Sequence, residues 1–479
     1  MPNSQSDFQR RGKRLGTSMD FYPKQEARHM SATISNSEDY TAGQRYSIMI
    51  SAMLGYILDF YDVLIFPFLL PAIQRSMSLS LAEVGSLQAL TLFGSAIGGA
   101  VFGVIGDRLG RKTSLQLTIA LFSVAAIISA FAWNYWSLAV LRLITGIGLG
   151  GEYGVGMVLF NEAWKKGSRG LGAAALQGCA VIASSTASIV GIWLIATFSD
   201  EWSWRIGLLS GGVPILLIIF IRFFMPESKI WLEYEAQRKA GRVAAEARTL
   251  PLADLFRSGL ARQTVVAFVW LMSYMLCYYS VVSFIPTLLL RDMHTPGDIV
   301  RTTAVLLSVV SGISYLANGF FNDRAGRRFG ALVPALFWVG SLVGMAAWGS
   351  QLYAGSKTEW PMFWLYIGFG IGNVALGVTG VWISELYPVN LRATAVSTFY
   401  MGGRGLGSIA PVIVPLAAAH FGGSLLYGMV AVALPAATVF IVASLLLPET
   451  LGRDLSARGF KIGTEGEAAT MKTASVSSG

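Results

Sequence analysis

Two aspartates stand three residues apart, Asp59 and Asp62, inside the first long apolar stretch of the chain, Leu58-Asp59-Phe60-Tyr61-Asp62-Val63. Apolar residues dominate from Ile48 to Ile57 before them and from Leu64 to Ile73 after them. On a soluble surface such a pair is ordinary. In a segment that crosses a bilayer it is not. A charge at mid-depth costs roughly 2.5–3.5 kcal/mol on insertion scales, and residues kept there face a cavity and move protons, ions or substrate. Three further charges share this setting: Arg142, Glu152 and Arg404. A neighbouring guanidinium favours an ionised carboxylate and desolvation opposes it, so a carboxylate–arginine pair can be switched. Asp59, Asp62 and Glu152 are therefore candidate proton carriers, with Arg142 tuning Asp62. Arginine stays charged and grips carboxylates through two parallel hydrogen bonds, which makes Arg404 the candidate anion site and Arg142 a further one.

Spacing supports the pairing. Asp62 and Arg142 fall at similar distances from the outer ends of antiparallel segments, so at 1.5 Å rise per residue their levels differ by roughly 5 Å. Asp59 lies one helical turn below Asp62 on about the same face. Gln177, Asn318 and Asn373 can hydrogen-bond a substrate, and Tyr278, Tyr279, Trp270 and Tyr400 are aromatic candidates for its walls. His29, His294 and His420 avoid central depths, so a histidine relay is not expected. Cys179 and Cys277 lie in apolar runs with no metal spacing. No phosphate-binding loop and no nucleophile–base set is visible, so the reading is of a protein that is not an enzyme, has no cofactor and no metal, and is driven by a proton gradient.

The elements that must carry these residues are membrane helices. The chain has 479 residues, is 54% hydrophobic and only 13% charged, and has a mean hydropathy of +0.57, against about 25% charged in a soluble domain. Apolar runs predict twelve spans near 45–73, 83–105, 112–133, 135–160, 170–197 and 205–225, then 262–290, 299–321, 329–349, 360–385, 392–420 and 424–447. The fold class expected is an all-α membrane protein in two six-helix halves, 45–225 and 262–447. A polar arm (1–44), a linker (226–261) and a tail (448–479) complete it; the arm and the end of the tail have the composition of disordered segments. The net charge of +9 fits basic loops rather than nucleic acid. One set of loops holds about 17 Lys and Arg and the opposite set about 5, which predicts both termini in the cytoplasm.

The halves repeat at offsets of about 220 residues, a known transporter plan with substrate between the halves. Asp107-Arg108-Leu-Gly110-Arg111-Lys112 recurs as Asp323-Arg324-Ala-Gly326-Arg327-Arg328. Glu162 with Arg169 recurs as Glu385 with Arg392, and Pro226-Glu227-Ser228 as Pro448-Glu449-Thr450. The paired G-x-x-x-D-R-x-G-R-K/R loops resemble the signature of the major facilitator superfamily, over residues 45–455. The resemblance implies that Asp107, Arg108, Arg111, Glu162, Arg169, Asp323, Arg324, Arg327, Glu385 and Arg392 form a gating network that latches one face. The Arg142–Gly150 segment resembles the sugar porters and their organic-acid relatives. The D-x-x-D doublet, G-G-E at Glu152 and Asn161-Glu162-Ala163-Trp164 resemble the sialate, monocarboxylate and metabolite proton symporters. Aromatic-acid symporters usually read D-G-F-D, where this chain has Phe60 in place of the glycine. The pattern of drug antiporters in span 5 is missing.

The expectation is proton-coupled uptake of a small organic anion, a monocarboxylate or sugar acid such as lactate, pyruvate or sialate. The protein would work as a monomer in the cell membrane by alternating access. The alternatives are an aromatic-acid symporter and a sugar or polyol symporter; Arg404 favours an acid. A transport-dead sensor would leave the intramembrane acids unexplained.

Overall fold

The computed structural model describes residues 40–240, 251–257, 259–352, 359–453 and 455. The expected disordered arm up to residue 39, the linker at 241–250 and 258, and the tail from 456 lie outside the described residues.

Twelve helices are long and apolar enough to cross a membrane. Spans 1–6 are Ala42–Met77, Glu83–Leu109, Arg111–Ser129, Tyr135–Ala163, Lys166–Thr197 and Asp200–Ile221. Spans 7–12 are Ala261–Val282, Val305–Ala325, Arg327–Trp348, Ile367–Leu386, Arg392–His420 and Leu425–Leu446. Span 1 outruns the expected 45–73 because polar caps, not apolar residues, mark its start. Thr41 and Gln44 form a reciprocal capping box, as Ser80 and Glu83 do before span 2, satisfying amides that have no partner within the helix. The start of span 1 and the end of span 12 lie on one face, here called the terminal face, with the loops that carry Arg111, Glu162 and Arg392.

Several spans are interrupted at mid-depth. Span 5 breaks at Cys179 between Arg169–Gly178 and Ala180–Thr197. Span 11 breaks after Gly407, and the second segment, Ala410–His420, starts with a proline in its first turn. Span 10 passes through a tight helical stretch, Asn373–Val378. The carbonyls that such a stretch exposes must find donors inside a membrane. The Tyr274 hydroxyl donates to the Asn373 carbonyl at 2.6 Å and the Asn318 amide to the Val374 carbonyl at 2.8 Å. Spans 2 and 4 lock through interleaved glycines. A methyl at Gly94 or Gly98 would strike the carbonyls of Leu143 or Ile147, and one at Gly146 or Gly150 those of Thr91 or Ser95. This is the small-residue packing that lets membrane helices touch along their backbones.

The halves meet unevenly. The Arg392–Gly407 segment of span 11 packs on span 2, and the Arg169–Gly178 segment of span 5 packs on span 8. The outer segments turn back to their own halves: Ala180–Thr197 packs on spans 1 and 6, and Ala410–His420 on spans 12 and 7. The terminal face is closed by contacts between the halves.

Candidate functional site

The intramembrane charges do not form one cluster. Asp62 on span 1 and Arg142 on span 4 lie 3.5 Å apart, both buried, within one half. Arg142 also donates to Ser129 Oγ at 3.3 Å and Thr145 Oγ1 at 3.2 Å, and its guanidinium lies 4.9 Å from the centre of the Phe66 ring. Asp62 fits against Gly211, where a methyl would displace its carboxylate. The missing side chain at Gly211, between the helical segments Asp200–Ser210 and Ile215–Phe224 of span 6, makes room for the acid.

Asp59, one turn away, faces the other half. Arg404 on span 11 approaches its carboxylate at 3.8 Å, an ion pair without a hydrogen bond. Neither oxygen of Asp59 has a hydrogen-bond partner among the described residues, nor do Nε and Nη1 of Arg404. The guanidinium lies 4.8 Å from the Phe60 ring centre, and Tyr279, Asp59, Tyr400 and Tyr56 are its electrostatic neighbours. Arg404 sits one turn before the break in span 11. The carbonyl end of that segment carries partial negative charge, which favours a cation there. The site thus holds a fixed cation, loosely countered, at the seam between the halves and near mid-depth.

On the terminal side of this pair lies an aromatic floor. Tyr153 of span 4 and Tyr400 of span 11 stack across the seam with ring centres 3.7 Å apart, and the Tyr56 hydroxyl is 3.3 Å from that of Tyr400. Tyr278 and Tyr279 are half-buried on span 7, their rings edge to face at 5.2 Å. Gln177 is buried on the broken span 5. Asn373 is half-buried, and its side-chain oxygen accepts from Tyr274. Asn318 is committed to the span 10 carbonyl described above. Trp270 is fully buried and donates to Ser444 Oγ at 2.8 Å, a packing position.

Glu152 stands apart. It is buried on span 4, and neither carboxyl oxygen has a hydrogen-bond partner among the described residues. The carboxyl rests against the backbone of span 1 at Gly55, where a methyl would overlap it.

The repeated loops build the closed face. Gly110 and Gly326 adopt φ of +101° and +103°, a turn that side chains disfavour. The helix after each turn is capped from a distance. The Glu227 carboxylate accepts from the amides of Arg111 and Lys112, and that of Glu449 from those of Arg327 and Arg328. Arg111 pairs with Glu162 at 3.3 Å and Arg327 with Glu385 at 2.8 Å. Ser228 and Thr450 hydroxyls donate to the same two glutamates at 2.6 Å. Each motif aspartate then crosses the seam. Asp107 accepts from the amides of Ala393 and Thr394 at 3.1 and 2.8 Å, capping span 11. Asp323 accepts from Gly170 and Leu171 at 2.7 and 2.8 Å, capping span 5. Arg392 also crosses, to Glu162, and Arg169 is buried at the start of span 5. Arg108 and Arg324 are exposed; the Arg324 guanidinium lies 3.5 Å from the Phe320 ring centre.

Sequence reasoning placed the charges but missed their surroundings. Tyr56, Phe60 and Tyr153 went unremarked as walls, although Tyr153 adjoins Glu152. The capping role of Glu227 and Glu449 was concealed in a repeat whose partners lie about 120 residues away.

Comparison with known proteins gives a consistent picture. The family model described as Major Facilitator Superfamily matches residues 52–313, and that described as Sugar (and other) transporter matches 233–458. A probable 4-methylmuconolactone transporter of Cupriavidus pinatubonensis is 30% identical over 83% of this chain and 89% of its own length. The niacin transporter NiaP of Acinetobacter baylyi is 26% identical over 89% of this chain and 99% of its own. The sialic acid transporter NanX of Escherichia coli is 25% identical over 82% and 92%. Among solved structures, the proton:xylose symporter XylE bound to 6-bromo-6-deoxy-D-glucose superposes with a TM-score of 0.69 at 19% identity, covering 87% of this chain and 98% of that one.

Proposed function

The chain belongs to the major facilitator superfamily, and we propose that it is a proton-coupled symporter that takes up a small organic anion by alternating access. Uptake of a monocarboxylate or sugar acid such as lactate, pyruvate or sialate fits a fixed cation at mid-depth. The observation that carries this reading is Arg404. It lies at the seam with two nitrogens that make no hydrogen bond among the described residues and a counter-ion 3.8 Å away.

The loose pair provides a coupling device. A substrate carboxylate on Arg404 displaces Asp59, which is then an unpaired buried acid and takes a proton. With the acid neutral and the guanidinium countered by substrate, the centre carries no excess charge and the halves can rock. After release, Asp59 returns to Arg404 and the empty carrier is again neutral. A monoanion crossing with one proton avoids about 2.3 kcal/mol per charge per 100 mV of membrane potential. Asp62 with Arg142 is a second switchable pair, and Glu152 a further proton candidate. The basic loops support a cytoplasmic terminal face, so the closed face here is the cytoplasmic one and the carrier opens outward. The reading includes action as a monomer.

Within organic acids, the walls favour a planar, conjugated substrate. Phe60, Tyr279, Tyr400 and Tyr56 surround Arg404, and aromatic faces stack on flat rings. Niacin, the named substrate of one relative, is such a molecule, whereas sialic acid, that of another, is not. An aromatic-acid symporter is therefore the second reading.

The test is proton entry into proteoliposomes loaded with a pH-sensitive dye, with protein-free liposomes as control. Pyruvate, sialate, nicotinate, benzoate and xylose are added in turn. Acidification with an acid, lost in Arg404→Ala and Asp59→Asn, supports the reading. Acidification with xylose alone would replace it by a sugar symporter. Unchanged uptake and pH response in Asp62→Asn would remove Asp62 from the coupling.

A further inference from the structure

We propose that Met157 and Gly380 form a knob and socket on the pseudo-two-fold axis of the molecule, and that the combined size of these two side chains sets how readily the terminal face opens. The proposal rests on the alternating-access part of the proposed function and names what sets its balance. Its readout needs no substrate, so it stands or falls separately from the choice of acid and from proton coupling.

The axis can be located from the repeat. Where two units related by a two-fold axis meet, a contact away from the axis occurs twice, and only residues on the axis meet their own counterparts. The off-axis contacts are duplicated here. Gly103 of span 2 lies against the backbone of Ala393 and Thr394 of span 11, and its counterpart Gly319 of span 8 lies against the backbone of Gly170 and Leu171 of span 5. The single contacts belong to spans 4 and 10. Asn161 and Ser384 precede the repeated glutamates Glu162 and Glu385. They are 223 residues apart, and the Asn161 amide donates to Ser384 Oγ at 3.1 Å. Met157 and Gly380 stand one turn earlier on the same helices, with the same separation in sequence, and a methyl at Gly380 would overlap the Met157 side chain. Two successive pairs of counterparts therefore face each other, which puts the axis between spans 4 and 10.

On the axis the halves cannot be alike. Two methionines there would collide, and two glycines would leave a hollow in an otherwise close-packed interface. The chain breaks its own symmetry with one large side chain and one position that has none. Asn161 keeps the register. Its amide also donates to the Gly380 carbonyl at 3.0 Å, and Ser384 Oγ donates to the same carbonyl at 2.6 Å. A polar bond between helices holds their mutual rotation inside a bilayer, and Met157, one turn away and buried, is thereby aimed at Gly380. If the halves rock, these two residues touch only while the terminal face is closed. Their size then acts on the closed state alone and shifts its population.

The experiment reads opening as the labelling rate of Ser397→Cys by a hydrophilic maleimide, resolved by mass spectrometry from the native Cys179 and Cys277. Ser397 is buried on span 11 against Gly154 of span 4, at the seam. Full-length protein carrying this cysteine is the parent, held in detergent without substrate. Gly380→Met puts two knobs on the axis and should raise labelling by about fivefold or more. Exchanging the pair, Met157→Gly with Gly380→Met, moves the knob to the other half and should return labelling to within about twofold of the parent, as coupling between touching sites requires. Parent-level labelling in Gly380→Met overturns the proposal. So does a rise that the exchange fails to reverse, which marks loosened packing rather than a socket shared about an axis. Should Gly380→Met aggregate, Gly380→Ala takes its place with Met157→Ala as the compensating change, and the same two outcomes decide. A cysteine at 397 that stays unlabelled in the parent and in every variant would mean that this seam does not open, and would remove alternating access and the proposal together.

Discussion

At the scale of single residues, the chemistry depends on which acid each arginine serves. Asp62 and Arg142 are partners within one half, whereas Asp59 and Arg404 are partners across the seam. A pair within a half moves as one body; a pair across the seam reports on closure. Arg404→Ala leaves Asp59 buried without a cation, and removing one member of a buried charge pair costs roughly 2–5 kcal/mol. On the symport reading proposed above, uptake of the acid should fall by about a hundredfold or more, measured as initial rate in vesicles. Arg404→Lys should rescue little, because an ammonium presents a point charge where a carboxylate meets a planar fork. Asp59→Asn should bind substrate yet fail to accumulate it against a gradient, read by comparing equilibrium binding with pH-driven uptake. Asp59 and Arg404 were each legible in the sequence as charges inside apolar runs. Their partnership was not, since it depends on the rotation of two helices that are about 345 residues apart.

At the scale of elements, the repeated motifs are helix caps that work at long range. Burial pushes the Glu449 carboxyl up, but the amides of Arg327, Arg328, Leu451 and Thr450 outweigh it and hold the group below the usual carboxylate range. A carboxyl depressed on folding contributes stability above its unfolded value, and that contribution is lost as pH falls through the folded one. Glu449→Gln should therefore lower the thermal midpoint in detergent at pH 7, with the gap to wild type closing as pH drops below the ordinary carboxylate range. Glu227, its counterpart, is more deeply buried; there burial wins over the amides and pushes the carboxyl up. The sign reverses, and the contribution of this group is lost as pH rises through its folded value. The same motif letters thus give opposite titrations, because the burial differs. Gly98 offers a test of span packing. Gly98→Leu would force spans 2 and 4 apart at the Ile147 carbonyl, and the yield of folded protein should collapse.

At the scale of the whole molecule, closure of the terminal face is a set of contacts that would have to part for the proposed rocking of the halves. Asp107 and Asp323 cap helices of opposite halves, and Tyr153 stacks on Tyr400 beneath Arg404. A Cβ at Gly106 would lie 3.3 Å from that of Ala393, close to the 3.5–4.5 Å usual for a disulfide. Gly106→Cys with Ala393→Cys should cross-link the halves under oxidation, stop transport and release it on reduction. Continued transport with the bond formed would mean that this seam does not open. Asp107→Asn weakens the cap on span 11 and should raise the accessibility of that cross-seam site to thiol reagents.

The sequence by itself determined the twelve spans, because a bilayer core demands long apolar runs, and the two-half plan, because the loop motifs recur at a constant offset. It also singled out Asp59, Asp62, Arg142, Glu152 and Arg404, since ionised groups inside such runs are costly enough to be rare. Only the tertiary structure decided how these five divide. Helix rotation and the meeting of the two halves set Arg404 against Asp59 and left Glu152 in the hollow of Gly55 without a cation. Tertiary contacts also showed that Asn318 serves the span 10 backbone and that Tyr153 with Tyr400 closes the floor. Spacing along a chain sets the depth of a side chain in the membrane; only the packing of helices sets what it faces.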